Sequence, residues 1–463
     1  MYGVKQRAFS QRRGLSWVSL AAVTACMMLW PLRSFALDFI SAYRSALHKN
    51  PAYLATQQQH LAVQEKRVQG RGGLLPTLSL NYSQAYNWSE VEQQSGANRY
   101  TEDRDYQSHN ASLMFQQPLL DYEAWSGYQK ADQQAQEADD QFLGETAKLA
   151  LQVLTSYTQA MLARDQQVLA EQQLAAHRAL LHQNESLKAQ GEGTQTDVLE
   201  TQSRLFLSET EWIEAQDALD LALRTLAQMI DLPVSLADLP ELTSFQASLP
   251  LDSSELAHWQ RLALQHNPEL LALAHREKAA EYEVSVQNSG HYPRLSLYAS
   301  SRRTESDTEN TYEQRYDTES VGIQLKVPLY LGGRVSSAAR EAQAIKSQVS
   351  YELASKRQEV ILNVRRHLQK CISSVSSLKA RRFALSSSEA LVTATRMSVQ
   401  GGERGNQDVL DAERQWYQAR RELARTQYDY LQAWLALHVE AGVLQDAHIV
   451  LVSEQFRRVS KNI

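Results

Sequence analysis

The sequence predicts a mixed α and β fold: a duplicated unit with four strands per chain, contributing to a β-barrel shared between copies and continued by a long α-helical coiled-coil barrel. Three observations support this prediction. The motifs of the first half recur in the second half, short segments alternate apolar and polar residues, and two very long segments contain no proline. Because four strands cannot close a barrel with a useful lumen, several copies must share one.

The first 36 residues, 1–36, have the pattern of a secretory signal peptide. Basic residues precede an apolar segment from Leu15 to Trp30, and Ser34-Phe35-Ala36 offers small residues for cleavage after Ala36. Two alternatives remain open: an uncleaved anchor, for which the apolar run is short, and lipidation of Cys26. No later stretch is long and apolar enough for a spanning helix, so the exported chain is expected to be periplasmic, secreted or a β-barrel.

The composition gives no sign of nucleic-acid binding or catalysis. The net charge is −6 and the basic residues are spread along the chain. After signal cleavage Cys371 would be the single remaining cysteine, so no intramolecular disulfide could form. The 12 histidines are scattered, and no nucleotide, nucleophile or metal motif occurs. We therefore expect no enzyme activity, no cofactor, no bound metal and no nucleic-acid partner.

The chain repeats itself once, in residues 37–232 and 252–442, with a linker at 233–251 and a tail at 443–463. Four short motifs recur in the same order and at nearly constant separation, which chance rarely produces. The recurring pairs are Asn50-Pro51 and Asn267-Pro268, Leu75–Leu80 and Tyr292–Leu297, Gln117–Leu120 and Val327–Tyr330, and Asp197–Glu200 and Asp408–Asp411.

Each unit begins with an amphipathic helical segment, Phe39 to about Gln69 in the first and Leu256 to about Asn288 in the second. A strand pair follows, predicted from alternation such as that of Val321, Ile323 and Leu325 with polar neighbours. The predicted strands are roughly 74–88, 107–118, 292–303 and 317–330. The polar segments between them, Ser89–Asp105 and Ser301–Tyr316, are expected to be loops at the barrel rim.

A helical hairpin completes each unit, about 122–230 in the first and about 334–441 in the second. Tyr122–Gln190 and Arg334–Gln400 contain no proline, and each would span about 100 Å as one helix. A glycine-rich turn follows each long helix and a second helix returns along it. The turn glycines are Gly191 and Gly193 in the first hairpin, and Gly401, Gly402 and Gly405 in the second.

With these motifs in this order, the sequence resembles the TolC-type outer-membrane channel-tunnel family over nearly the whole mature chain. The resemblance rests on the duplicated Asn-Pro and Leu-Pro elements, on Val327–Tyr330 with Gly332-Gly333, and on Gly405–Ala412. It implies a homotrimer in the outer membrane of a Gram-negative bacterium, in contact with lipid, with a twelve-stranded barrel and a large periplasmic part. It also implies a closed periplasmic tip where a periplasmic adaptor and an inner-membrane ABC or other transporter dock.

The resemblance assigns roles to residues at the hairpin tips. Asp408 and Asp411 match two aspartates that line the narrowest constriction, where rings of carboxylates would favour cations. Arg404 matches an arginine that ties one hairpin to its neighbour, with Thr196 and Asp197 as its partners. The family's tyrosine in this network falls near Met397–Val399, where this sequence has none.

An alternative remains open for the tip residues and another for the function of the whole chain. Thr196, Asp197 and Asp408 follow glycine turns at helix starts, where Thr and Asp cap backbone N–H groups and oppose the helix dipole. At the level of the whole chain, the main hypothesis is the exit duct of a type I protein secretion or efflux system. The alternative is a periplasmic coiled-coil adaptor without a pore.

Overall fold

The computed structural model describes residues 37–96, 98–240, 249–251, 254–308 and 311–456. The predicted signal peptide, with Cys26 and the cleavage position after Ala36, lies outside the described residues, as do residues 457–463 of the predicted tail. Among the described residues, no helix combines the length and apolarity that crossing a membrane requires.

Each repeat opens with two helices where the sequence pattern predicted one. They are α1 (Phe39–Lys49) and α2 (Pro51–Gly72) in the first repeat, and α5 (Leu256–His266) and α6 (Pro268–Asn288) in the second. The continuous helices were a wrong prediction at the Asn-Pro motifs. Proline cannot continue a helix but fits its first turn, so each motif ends one helix and starts the next.

The asparagine of each motif joins the start of one helix to the end of another. The Oδ1 atoms of Asn50 and Asn267 accept hydrogen bonds from Tyr53 N at 3.0 Å and Leu270 N at 3.1 Å. Their Nδ2 atoms donate at 2.8 Å to Met229 O and Glu440 O. The duplicated motif therefore attaches the end of each hairpin, opposite its turn, to the opening helices of the same repeat.

Four antiparallel strands form one sheet in the order β1-β2-β3-β4. Their bounds are β1 Thr77–Ser95, β2 Asn98–Leu120, β3 Arg294–Thr308 and β4 Thr311–Lys326. Within the described residues β1 and β4 each have one neighbour only, so both outer edges of the sheet are unpaired. An unpaired edge exposes a row of backbone donors and acceptors.

The strands are longer than the sequence predicted, and the predicted rim loops are strand instead. β1 and β2 continue to a pairing of Ser95 with Asn98, and β3 and β4 to a pairing of Thr308 with Thr311. Apolar alternation stops earlier because both faces of the outer parts are polar, which hid these parts from a pattern-based prediction. β4 ends at Lys326, so 327–330 is not strand.

The long helices form two antiparallel hairpins. The first pairs α3 (Tyr122–Ala189, 68 residues) with α4 (Gln195–Ile230), and the second pairs α7 (Arg334–Gln400, 67 residues) with α8 (Asn406–Glu440). In α7 the buried residues from Val335 to Leu378 recur every three, four or seven positions, which is coiled-coil spacing. Examples are Val349, Leu353, Val360, Val364, Leu368, Cys371 and Leu378.

The hairpins and the opening helices meet in one apolar core, whose largest fully buried side chains include Trp259, Trp434 and Tyr157. The linker between the repeats, with a 3-10 turn at Leu236–Asp238, is bound against this core. Buried Arg164 donates from Nη1 to Leu239 O at 3.1 Å, and Trp434 Nε1 donates to Pro250 O at 3.1 Å. A short helix α9 (Asp446–Glu454) follows in the tail segment.

Candidate gate at the hairpin tips

The hairpin turns reverse the chain at equivalent glycines of the two repeats. Gly191 and Gly402 have φ angles of 84° and 75°, a region that side chains with a Cβ rarely adopt. Gly193 has a different requirement, because a Cβ there would lie 2.9 Å from Lys188 N. Gly401 and Gly405 have negative φ angles of −78° and −86°, so backbone conformation does not demand glycine at either position.

Two of the predicted aspartates cap the helices that leave the turns. Asp197 Oδ2 accepts from Thr194 N at 3.2 Å, while Thr194 Oγ1 accepts from Asp197 N at 3.1 Å. Asp408 Oδ2 accepts from Gly405 N at 3.2 Å. The capping threonine is therefore Thr194 and not Thr196, whose side chain is exposed in the first turn of α4. Capping uses one oxygen of Asp408 and leaves its exposed carboxylate charged toward solvent.

The two hairpins of one chain are joined by a buried threonine that sequence reasoning missed. Thr201 is fully buried, and its hydroxyl donates to Asp197 O at 2.8 Å. It accepts from Asn184 Nδ2 at 2.8 Å and from Asn406 Nδ2 at 3.1 Å. One donor and two acceptor positions are thus all used, linking α3, α4 and α8.

A second link joins the hairpins through Asp411. Its Oδ1 lies 3.3 Å from an Nη2 atom of Arg204 on α4 and 3.2 Å from Nη2 of Arg414 on its own helix. The Asp411 side chain is 43% exposed and that of Arg204 26% exposed. Two guanidinium groups therefore compensate the Asp411 charge locally, whereas the Asp408 carboxylate accepts from the backbone N–H of Gly405.

Arg404 and Asp197 line one cleft between the two hairpin tips, with a volume of about 570 Å³. Within the described part of the chain, the side chains of Arg404 and Thr196 form no hydrogen bond or ion pair. The structure therefore places Arg404 and Asp197 beside one cleft without joining them. Met397, in the segment where the resemblance leads one to expect a tyrosine, is 62% exposed.

Titratable groups are buried behind this cleft. Glu413 on α8 is 4% exposed and binds Nη2 of Arg396 at 2.5 Å, while its Oε2 has no hydrogen-bond partner among the described residues. His177 on α3 is 5% exposed. Burial lowers the pKa of His177 below its ordinary value, and the charge of Arg204 acts in the same direction. The charges of Glu413 and Glu211 and a hydrogen bond to the Arg204 backbone act against them. His177 is therefore neutral at pH 7.

The linking residues were not predicted because a search for motifs shared by both repeats does not find residues that occur in one repeat only. Thr201 and Arg204 lie one and two turns beyond Asp197 on α4, and Val198, Thr201 and Ser208 share its buried face. The corresponding position to Thr201 in the second repeat is Ala412. A polar residue on a buried face where the other repeat has alanine was the available signal.

A four-stranded sheet with two free edges, continued by two helical hairpins with a polar tip, defines a subunit of an outer-membrane channel. The chain belongs to the outer membrane efflux protein family, whose model matches residues 42–231 and 259–443. The chain is therefore an outer-membrane channel protein and not an enzyme, as the sequence predicted.

Several relatives match almost the whole chain. The alkaline protease secretion protein AprF of Pseudomonas aeruginosa is 40% identical, over 96% of this chain and 92% of that protein. The proteases secretion protein PrtF of Dickeya chrysanthemi is 36% identical, over 91% and 92%. The outer membrane protein TolC of Vibrio cholerae is 26% identical, over 96% and 98%, which confirms the predicted resemblance.

The fold is also similar to that of solved channels. The outer-membrane channel OprN superimposes with a TM-score of 0.76 at 17% identity, covering 88% of this chain and 90% of that one. The predicted fold class is confirmed by this likeness. At this identity the likeness concerns the fold alone.

Proposed function

We propose that three copies of this chain form the outer-membrane exit duct of a type I protein secretion system. In this proposal the barrel crosses the outer membrane, the helical hairpins form a periplasmic tunnel, and the tips close it. A periplasmic adaptor and an inner-membrane ABC or other transporter dock there and open it. The cargo is a polypeptide.

The observation that supports the assembly is the open sheet. In the membrane no water is available to satisfy the free edges of β1 and β4, so each must pair with a strand of another copy. β4 of one copy beside β1 of the next continues the antiparallel alternation. Three copies of four strands would give twelve, within the range of bacterial barrels, which have even strand numbers.

The observation that supports a polypeptide cargo is the pattern of likeness among relatives. The two with 40% and 36% identity are named for the secretion of proteases, and both are matched over more than nine-tenths of their length. The TolC protein of Vibrio cholerae is more distant, at 26%.

The tip geometry supports a gate built from polar links. Asp408 and Asp411 would line the constriction, and Arg404 would engage Thr196 and Asp197 when neighbouring copies close the tunnel. Arg404 has no partner among the described residues of its own chain, which suits a group that binds another copy. Thr201 with Asn406, and Arg204 with Asp411, would hold the two hairpins of each copy together.

Deleting this gene in its host tests the proposal through two readouts. We expect a defined set of polypeptides to disappear from the culture medium and to return when the wild-type gene is restored. Susceptibility to small toxic compounds should stay nearly unchanged. An unchanged set of secreted proteins together with raised susceptibility would instead establish a small-molecule efflux duct.

The proposed number of copies has its own test. Native mass spectrometry in detergent should give a trimer.

A further inference from the structure

The two faces of the sheet differ in chemistry, which identifies the face that lines the barrel. Side chains of a strand alternate between the faces, and the strand register aligns those faces across the sheet. One face carries exposed apolar residues such as Leu80 at 74%, Val321 at 78% and Ile323 at 66%. Lipid requires such a face. The opposite face, rich in Ser and Asn, is therefore the lumenal one.

Arg302 lies on the lumenal face. The register places Asn81, Ser112, Arg302 and Thr318 side by side in one row across the four strands. The next residue along β3, Arg303, points to the outer face and pairs there with Asp317 Oδ1 at 2.6 Å. Two adjacent arginines thus have opposite orientations, and the outer one alone has a carboxylate partner.

The partners of Arg302 are neutral. Its Nε donates to Asn110 Oδ1 and to Thr304 Oγ1, both at 3.1 Å. Neither Nη1 nor Nη2 forms a hydrogen bond to any residue that the structure describes. A guanidinium remains charged at any physiological pH, so this group is oriented by its neighbours while its charge stays uncompensated.

Among the described residues, the lumenal rows beside Arg302 contain no carboxylate. The adjacent lumenal rows of the described strands hold Ser79, Met114, Ser300 and Ser320 on one side, and Ser83, Asn110, Thr304 and Tyr316 on the other. Further along β2, lumenal Arg104 is different, because its Nη2 lies 2.8 Å from Glu102 Oε2. Arg302 is therefore a positive charge within a hydroxyl-rich and amide-rich wall.

We propose that Arg302 from three copies forms an anion-binding ring in the barrel lumen that engages carboxylate groups of an acidic polypeptide on its way out. This inference rests on the proposed trimeric duct and specifies the chemistry of its cargo. The low-dielectric wall concentrates the field of the three charges in the lumen. The guanidinium fork matches the geometry of a carboxylate. The ring would also oppose in sign the aspartates proposed for the periplasmic tip.

Current through single channels in a planar bilayer tests the ring, with short oligoglutamate added on the barrel side as the probe. We expect oligoglutamate to block the wild-type current. Arg302→Gln should raise the half-blocking concentration about tenfold, and Arg302→Lys should retain most of the block because it keeps the charge. Arg303→Gln is the matched control, since it removes an adjacent, outward-facing arginine and should leave the block unchanged. Oligolysine should not block from this side.

The outcomes separate this inference from the proposed duct. A wild-type channel that conducts but is blocked equally in Arg302→Gln and Arg303→Gln would overturn the anion ring and leave the duct intact. A purified wild-type protein that forms no channel would contradict the duct itself. If Arg302→Gln fails to assemble, Arg302→Ser provides a smaller neutral side chain. Comparing it with Arg302→Lys then shows whether the positive charge is needed for the block by oligoglutamate.

Discussion

At the scale of single residues, Asp408 and Asp411 differ although they lie one helical turn apart. Asp408 is exposed and accepts a hydrogen bond from Gly405 N, whereas Asp411 is paired with two arginines. Capping and pore lining are compatible for Asp408, because capping leaves its charge exposed. The charge of Asp411 is compensated within its own chain, where its ion pair with Arg204 links α8 to α4.

This difference predicts unequal effects of removing each charge. Asp408→Asn should reduce the cation preference of the channel severalfold while keeping a capping oxygen, and Asp411→Asn should reduce it less. Arg404→Ser should instead raise conductance, because it removes a proposed link between copies and no lining carboxylate. Reversal potentials and conductance in planar bilayers measure these effects. If Asp408→Asn with Asp411→Asn keeps wild-type selectivity but loses thermal stability, Asp408 is only a helix cap and Asp411 only a link between the hairpins.

His177 predicts a pH dependence at the tip. Burial depresses its pKa below the ordinary 6.5, so below pH 6.5 the unfolded chain binds more protons there than the folded one. Its contribution to stability is therefore complete at pH 7 and falls as pH drops toward the folded pKa. The loss is about 1.4 kcal/mol for each unit of depression.

We expect hydrogen exchange of the hairpin tips to accelerate between pH 7.5 and 5.5 after correction for the intrinsic pH effect. His177→Gln should weaken this dependence, while His182→Gln, an exposed histidine on the same helix, should leave it unchanged. An identical pH response in wild type and His177→Gln would show that other groups cause it.

At the scale of elements, the sequence allowed the duplication, the four strands and both hairpins to be predicted, because each has a period or a breaker. Features without a period of their own could not be predicted from the sequence. The outer parts of β1 to β4 are polar on both faces, and the break at Asn50 interrupts an otherwise helical pattern. The links through Thr201 and Arg204 depend on how two hairpins pack, which no local pattern encodes.

The Asn-Pro motif gives a prediction for an element boundary. Asn267 is 4% exposed, caps α6 and donates to Glu440 O at the end of α8. Asn267→Ala should cost about 2–3 kcal/mol, the sum of a lost cap and a buried carbonyl left without its donor. Asn267→Asp keeps the capping oxygen but places a second oxygen against Glu440 O and buries a charge, so it should cost at least as much. The dissociation temperature of the trimer measures both, and an unchanged value for Asn267→Ala would show that the link from Asn267 to Glu440 O does not stabilise the protein.

At the scale of the whole molecule, the orientation of the sheet decides which substitutions the membrane tolerates. Ile323 and Gln324 are neighbours on β4, and alternation directs Ile323 to the apolar face and Gln324 to the lumen. A lysine among lipid chains costs roughly 2–4 kcal/mol at the bilayer midplane and less near its surfaces. A lysine in a water-filled lumen keeps its hydration and costs little.

Ile323→Lys should therefore lower the yield of assembled trimer in the outer membrane and its dissociation temperature, whereas Gln324→Lys should assemble as the wild type does. The pair is matched in strand, in depth and in the side chain introduced, so the difference reports orientation alone. Gln324→Lys should also shift ion selectivity toward anions, since it adds positive charge to the lumen. Equal loss of assembly in both variants, or a greater loss in Gln324→Lys, would mean that the apolar face does not contact lipid. In that case the proposal that this sheet forms part of a shared barrel in the membrane, with its apolar face outward, would be wrong.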